Sequence, residues 1–178
     1  MENEDLGLHL LEIEITNKCN LNCPHCYVDR TKPTFMPAEK VYELIDAAIN
    51  HNVTRLIFTG GEPLLCPNLF EYAEYARKKG IHSLFLMTNG LLLDENNVKK
   101  CKIFDEIQLS LDELPDTEPS IRNDYLNVLE KKFKLLRENK ILFLLFVTLN
   151  KLNFKLVPDF VQYAKKQGAY VSFNCLVP

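Results

Sequence analysis

Apolar residues in this chain recur with two alternating periods, and that alternation limits the fold more than any other feature. Runs of strand character stand at about 10–16, 54–59, 82–88, 106–111, 141–149 and 170–176. Stretches of helical periodicity lie between them, at about 38–51, 67–79, 94–101, 120–139 and 156–167. In the first helical stretch Val41, Leu44, Ile45, Ala48 and Ile49 share one face, as Leu126, Leu129, Phe133 and Leu136 do in the fourth. Pro37 suits a first helical turn, and Gly80 and Gly168 follow two helices where a left-handed cap residue is wanted. Strands that alternate strictly with helices imply a parallel sheet joined by right-handed crossovers. The six strand-like runs are too few for a closed eight-stranded barrel. The expectation is therefore an α/β fold, an open (β/α)6 partial TIM barrel with a curved parallel sheet. A flat doubly wound sheet is the competing arrangement.

Strand parity favours the barrel, because residues two apart on a strand share a face. The first strand carries Glu12, Glu14 and Thr16 on one side, the fourth Gln108, Ser110 and Asp112, and the sixth Ser172 and Asn174 opposite Val171, Phe173 and Cys175. A flat sheet covered on both sides should be apolar on both faces. One polar face suggests a concave lumen with helices outside it, or else a face left open to water.

The 178 residues read as a single domain, 1–178, with enough chain for a substantial core. The longest apolar run, ILFLLFV at 141–147, is too short to span a bilayer and suits a buried strand. The start, MENEDLGLHL, is acidic and lacks the basic opening of a signal peptide. Six cysteines without such a signal point to a reducing, cytoplasmic setting. A net charge of −3 with dispersed Lys and Arg gives no nucleic-acid footprint.

The unusual residues gather at one end of the strands. Cys19 follows the first, Gly60-Gly61-Glu62-Pro63 the second and Thr88-Asn89-Gly90 the third; Ser110 and Asp112 end the fourth, Asn150 the fifth and Asn174 lies near the end of the sixth. In parallel α/β barrels the carboxyl ends of the strands build the active site. Two glycines also admit close approach of the backbone to a ligand, although GGEP alone reads as a tight turn. Thr88 and Asn89 are ordinary strand-end turn formers. Cys19, Cys23 and Cys26 lie in TNKCNLNCPHCYVD. Three thiolates could hold a cubane iron–sulfur cluster and leave its fourth iron open to a small molecule. Zinc with His25 as fourth ligand, or unliganded thiols, are the alternatives. Cys66, Cys101 and Cys175 are scattered and read as small hydrophobes, with Cys175 or Tyr27 a conceivable radical relay.

The spacing CxxxCxxC, with FTGGEPLL, MTNG and SLD following in order, resembles the radical S-adenosylmethionine (SAM) superfamily over roughly residues 8–178. The closest likeness is to the branch of maturases whose full-length members carry a C-terminal SPASM or twitch domain. The resemblance implies a [4Fe-4S] cluster on Cys19, Cys23 and Cys26, with SAM chelated to the open iron. It implies that His25 packs near the adenine, that Gly60, Gly61, Glu62 and Pro63 engage the methionine amino group, and that Thr88 and Asn89 line the pocket. Ser110 and Asp112 would meet the ribose and carboxylate. Arg122 stands where many relatives pair an arginine with the carboxylate, though an exposed helix start explains it too. Glu113 departs from the glycine that often follows SLD. The implied reaction is reductive cleavage of S-adenosyl-L-methionine to a 5′-deoxyadenosyl radical that abstracts hydrogen from a substrate. That substrate would be a peptide, protein or small molecule, in peptide maturation or cofactor biosynthesis, with a reduced flavodoxin- or ferredoxin-like donor. The chain would then be a core domain without its auxiliary C-terminal domain. A glycyl-radical-enzyme activase and a non-catalytic cluster- or zinc-binding fragment are the rival readings.

Overall fold

The computed structural model describes residues 8–115 and 125–175. Its strands are β1 (Leu10–Thr16), β2 (Arg55–Gly60), β3 (Ser83–Thr88), β4 (Glu106–Ser110), β5 (Phe143–Leu149) and β6 (Tyr170–Cys175). They form one sheet in chain order, and every neighbouring pair is parallel. A doubly wound sheet would reverse its strand order partway across, so the sequential order selects the partial barrel. The sheet is curved and unclosed, with β1 and β6 as its edges.

Four helices, α1 (Ala38–Asn50), α2 (Leu69–Lys79), α3 (Tyr125–Glu138) and α4 (Val157–Gln167), make four of the five crossovers. One strand parity is buried throughout the middle of the sheet: Leu56 and Phe58, Leu84 and Leu86, Ile107 and Leu109, Leu145 and Val147. The apolar stripes of the helices join the same core, through Val41, Ile45 and Ala48 from α1 and Leu129, Phe133 and Leu136 from α3. Gly80 and Gly168 cap α2 and α4 in the left-handed conformation, at φ of 102° and 67°.

The other parity faces the lumen and is half-exposed along β3, β4 and β5. It is mixed rather than uniformly polar, because Phe85, Met87, Leu144 and Phe146 stand among the polar side chains. Register sets Gln108 beside Met87 and Leu144, and Phe146 between Ser110 and Ser172.

Three expectations are corrected. The helix expected at 94–101 is a series of turns ending in a short 3₁₀ segment, Lys100–Ile103. Asp94 accepts the backbone N–H groups of Asn96 and Asn97, while the Asn97 side chain reaches Leu92 O and Asp94 N, so side chains take over the helical ladder there. Thr16 does not continue the Glu12–Glu14 face. Register shifts between Glu14 and Thr16, and Thr16 is buried. Pro37 precedes α1 rather than lying in its first turn, and its carbonyl accepts the N–H groups of Lys40 and Val41.

Candidate functional site

Between β1 and α1 the chain runs without regular structure over the carboxyl end of the sheet, apart from one bridge between Thr16 and Phe35. Its own polar side chains hold it. Asn17 donates to Asp29 O at 2.8 Å and Lys32 O at 3.1 Å and accepts Thr34 N–H at 2.6 Å. The Thr16 hydroxyl donates to Thr34 O at 2.7 Å. Arg30 folds back onto Leu21 O and, at 2.8 Å, Asn22 Oδ1. Cys26 N–H donates to Cys23 O at 3.1 Å, so the second and third cysteines share one turn.

Successive strands then tether this loop at successive points. After β2, Gly61 N–H donates to Thr16 O and Glu62 N–H to Lys18 O, both at 2.7 Å. A Cβ on Gly60 would lie 2.1 Å from Thr16 O, and one on Gly61 2.3 Å from Lys18 O. The close approach that the glycines permit is therefore, first of all, to the chain's own cysteine loop. After β3, Asn89 Nδ2 donates to Asn20 Oδ1 at 2.8 Å and lies 3.9 Å from Cys19 Sγ. After β4, Asp112 Oδ2 meets His25 Nε2 at 3.1 Å.

Glu62 and Asp112 are both fully buried, and Pro63, next to Glu62 in the chain, is buried too. Glu62 caps the 3₁₀ turn Pro63–Leu65 through Leu64 N–H at 3.0 Å and also accepts the Thr88 hydroxyl at 2.6 Å and Asn89 N–H at 2.8 Å. One carboxylate thus fixes the loops after β2 and β3 together. Hydrogen bonds to a charged group are each worth about 1.5–3 kcal/mol. Glu62→Ala, which strands three donors, is expected to cost on the order of 4 kcal/mol in urea unfolding. Glu62→Gln, which keeps one acceptor but turns an N–H toward a donor, should fall between. An unchanged midpoint in the alanine variant would remove this role.

Two contributors were not evident from sequence. Tyr125, buried at the start of α3, donates to Asn89 O and Ser110 O, the latter at 2.8 Å, and so braces the ends of β3 and β4. Its place one turn before Leu129 on the α3 stripe was the available signal. Asn153, also fully buried, donates to Asp112 O and Thr148 O at 3.0 Å each. Asn150 serves that same turn, accepting Leu152 N–H and donating to Thr148 O.

These loops enclose a cavity of about 540 Å³, within the usual range for small-molecule sites. Cys19, Cys23, Cys26, His25, Gly60, Gly61, Thr88, Asn89 and Ser110 line it, with Glu12, Tyr27, Met87, Phe146, Asn174 and Cys175 toward the lumen. Arg122 lies outside the described residues. Partial burial and the charge of Glu14 raise the Glu12 carboxyl, and burial raises Glu106 on β4. Tyr27 donates to Glu14 at 2.8 Å. Cys66 and Cys101 are buried in the core, and burial pushes the Cys101 thiol up to about 12.

The donor set at the cavity suits an iron–sulfur cluster. All three thiols of the loop are unbridged, half-buried or exposed, and line the cavity. A cubane asks its thiolates to bind separate irons, and three thiols on one open loop can do so.

Comparison with known proteins follows the same line. The profile of the family described as the radical SAM superfamily matches residues 13–164. Fe-coproporphyrin III synthase of Methanosarcina barkeri is 34% identical over 113 residues, covering 61% of this chain and 28% of that protein. GTP 3′,8-cyclase of Desulforamulus reducens is 28% identical across 100% of this chain and 58% of its own length. SuiB of Streptococcus suis, solved with S-adenosylmethionine and with its precursor peptide SuiA, superposes with a TM-score of 0.81 at 17–18% identity. It is covered to 40–41% by 96–97% of this chain. The chain thus spans less than two-thirds of each of these proteins. Among the described residues no helix is long and apolar enough to cross a membrane.

Proposed function

The chain belongs to the radical SAM superfamily, and from that membership we propose that it is the catalytic core of an enzyme that cleaves S-adenosyl-L-methionine reductively and modifies a peptide or a small cofactor precursor. One observation carries the reading. Three thiols suited to a cluster line the same cavity as the strand-end residues of β2, β3 and β4. A [4Fe-4S] cluster held by Cys19, Cys23 and Cys26 would, when reduced, supply the electron for the reductive cleavage of S-adenosyl-L-methionine.

The chain's own residues hold, orient and shield. Cys19, Cys23 and Cys26 are the cluster ligands. The Gly60-Gly61 backbone and the Thr88-Asn89 loop form the wall next to them and receive the methionine end of SAM. Ser110 and His25 lie where the nucleoside part would bind, and Arg122 is a candidate partner for its carboxylate. Phe85, Met87, Leu144 and Phe146 give the lumen an apolar lining that keeps water from a reactive intermediate. The substrate reading draws on the relatives: SuiB is named with a precursor peptide, and the cyclase and the synthase are named for GTP and Fe-coproporphyrin III. The electron donor would be a reduced flavodoxin- or ferredoxin-like protein, and the setting cytoplasmic.

Electron paramagnetic resonance on anaerobically reconstituted, reduced protein tests the core of this reading. A [4Fe-4S]+ signal that changes shape when SAM is added is the expected result. No cluster signal from folded, iron-loaded protein would overturn it, and a signal indifferent to SAM would leave a cluster-binding module without the SAM site.

A further inference from the structure

The carboxylate of Asp112 is built into the protein and does not open onto the cavity. The residue is fully buried, whereas Ser110, two positions earlier, lines the cavity. Asp112 Oδ1 accepts Thr148 N–H at 2.7 Å, and its main-chain oxygen accepts Asn153 Nδ2 at 3.0 Å. Asn153 is itself pinned, since its Oδ1 accepts Asn150 N–H at 2.8 Å. The β5 end therefore fixes Asp112 from behind. Its remaining carboxylate oxygen, Oδ2, meets His25 Nε2 at 3.1 Å.

His25 belongs to the turn between Cys23 and Cys26, closed by the Cys26 N–H to Cys23 O bond. Cys19 has a separate anchorage, since its sulfur accepts Leu21 N–H at 3.4 Å and Asn89 approaches from β3. The cysteine loop is thus held in two places. The β2 and β3 ends hold its first part, and the His25–Asp112 contact joins the Cys23–Cys26 turn to the β4 and β5 ends.

We propose that Asp112 is a positioning residue that sets the Cys23–Cys26 turn through His25, and that it does not itself touch S-adenosylmethionine. This rests on the cluster reading above. It departs from the ribose and carboxylate contact that the SxD resemblance implies for this position. The reason is geometric: an acceptor already engaged at both oxygens and closed off from the cavity can act on a ligand only through its partner. Supporting residues behind metal ligands commonly matter on the order of tenfold to a hundredfold in affinity.

The test uses the full chain, reconstituted anaerobically as wild type, Asp112→Asn, His25→Phe, His25→Gln and the double variant H25F/D112N. Three quantities are read: iron and sulfide per chain, the half-life of the cluster against an iron chelator, and the SAM dissociation constant on cluster-replete protein. D112N and H25F should each shorten the cluster half-life by about tenfold or more. The double variant should be no worse than the poorer single one, because both break one contact. H25Q, which keeps an N–H donor near the Nε2 position, should recover most of the loss. The affinity of intact clusters for SAM should fall no further in D112N than in H25F, since Asp112 acts only through His25.

A D112N protein with a wild-type cluster half-life but SAM binding weakened tenfold would overturn the proposal, as would additive losses in the double variant or an H25Q no better than H25F. If D112N fails to fold by circular dichroism, H25F and H25Q decide alone, since both leave Asp112 in place. A wild-type chain that binds no cluster would instead sink the underlying functional reading, so the two failures are distinguishable.

Discussion

On the proposed function, alanine at Cys19, Cys23 or Cys26 is expected to leave a folded protein that retains no intact [4Fe-4S] cluster and cleaves no SAM. The three thiols belong to the cavity wall and not to the core, being half-exposed or exposed. Truncating them removes little buried apolar surface, so with all proteins compared free of cluster the melting temperature should move by no more than a degree or two, on the order of 0.5 kcal/mol. Cys101→Ala gives the opposite pattern. That thiol is fully buried and pushed up to about 12 by burial, so it is neither a thiolate nor reachable by iron. Its loss leaves a small void costing about 1 kcal/mol and an unchanged iron content. Iron and sulfide analysis beside thermal melts of the four variants separates ligand from packing. A loop variant with full cluster content would remove that cysteine from the ligand set.

The fold was legible because its signals are local and periodic. The α3 stripe of Leu126, Leu129, Phe133 and Leu136 is buried as its spacing requires, and Gly80 and Gly168 sit at φ values that favour glycine. The segment at 94–101 misled because its apolar spacing looks helical while Asp94 and Asn97 redirect the backbone hydrogen bonds. Thr16 misled for a similar reason, since a register shift is a property of two strands and leaves no mark on one. At the site, several residues that open onto the cavity are among those named from sequence: the cysteines, Thr88, Asn89 and Ser110. What sequence could not show was which of these residues are wall and which are held within the protein. Glu62 and Asp112, named beside their motifs, are fully buried and hydrogen-bonded within the protein. Tyr125 and Asn153 join strand ends through contacts separated by many residues, which no short motif encodes.

That distinction bears most on the glycine pair, and Gly60→Ala and Gly61→Ala are expected to be the most damaging of the alanine substitutions at the described glycines. A Cβ at Gly60 meets Thr16 O at 2.1 Å, and one at Gly61 meets Lys18 O at 2.3 Å and Lys18 C at 2.6 Å. These neighbours are backbone, so no rotamer change relieves the contact, and the segment leading to Cys19 must move outward. The Gly61 to Thr16 and Glu62 to Lys18 hydrogen bonds lengthen with it. Overpacking of this kind costs about 1–3 kcal/mol. Gly60 adds the strain of an L-residue at φ 137°, on the order of 1–2 kcal/mol. Together these amount to a fall in melting temperature of about 5–15 °C for G60A. Two other glycines isolate the causes. Gly80 has a φ of 102° with nothing within 4 Å of the added methyl, so Gly80→Ala reports backbone strain alone. Gly168, at the end of α4, has a φ of 67° and again nothing within 4 Å of the added methyl, so Gly168→Ala is a second report of strain alone. If the glycine pair serves to seat that loop, G60A and G61A lose cluster half-life out of proportion to their loss of stability, while G80A and G168A lose stability and keep the cluster. Cluster half-lives that simply track melting temperature across all four would mean that the pair is a tight turn and nothing more.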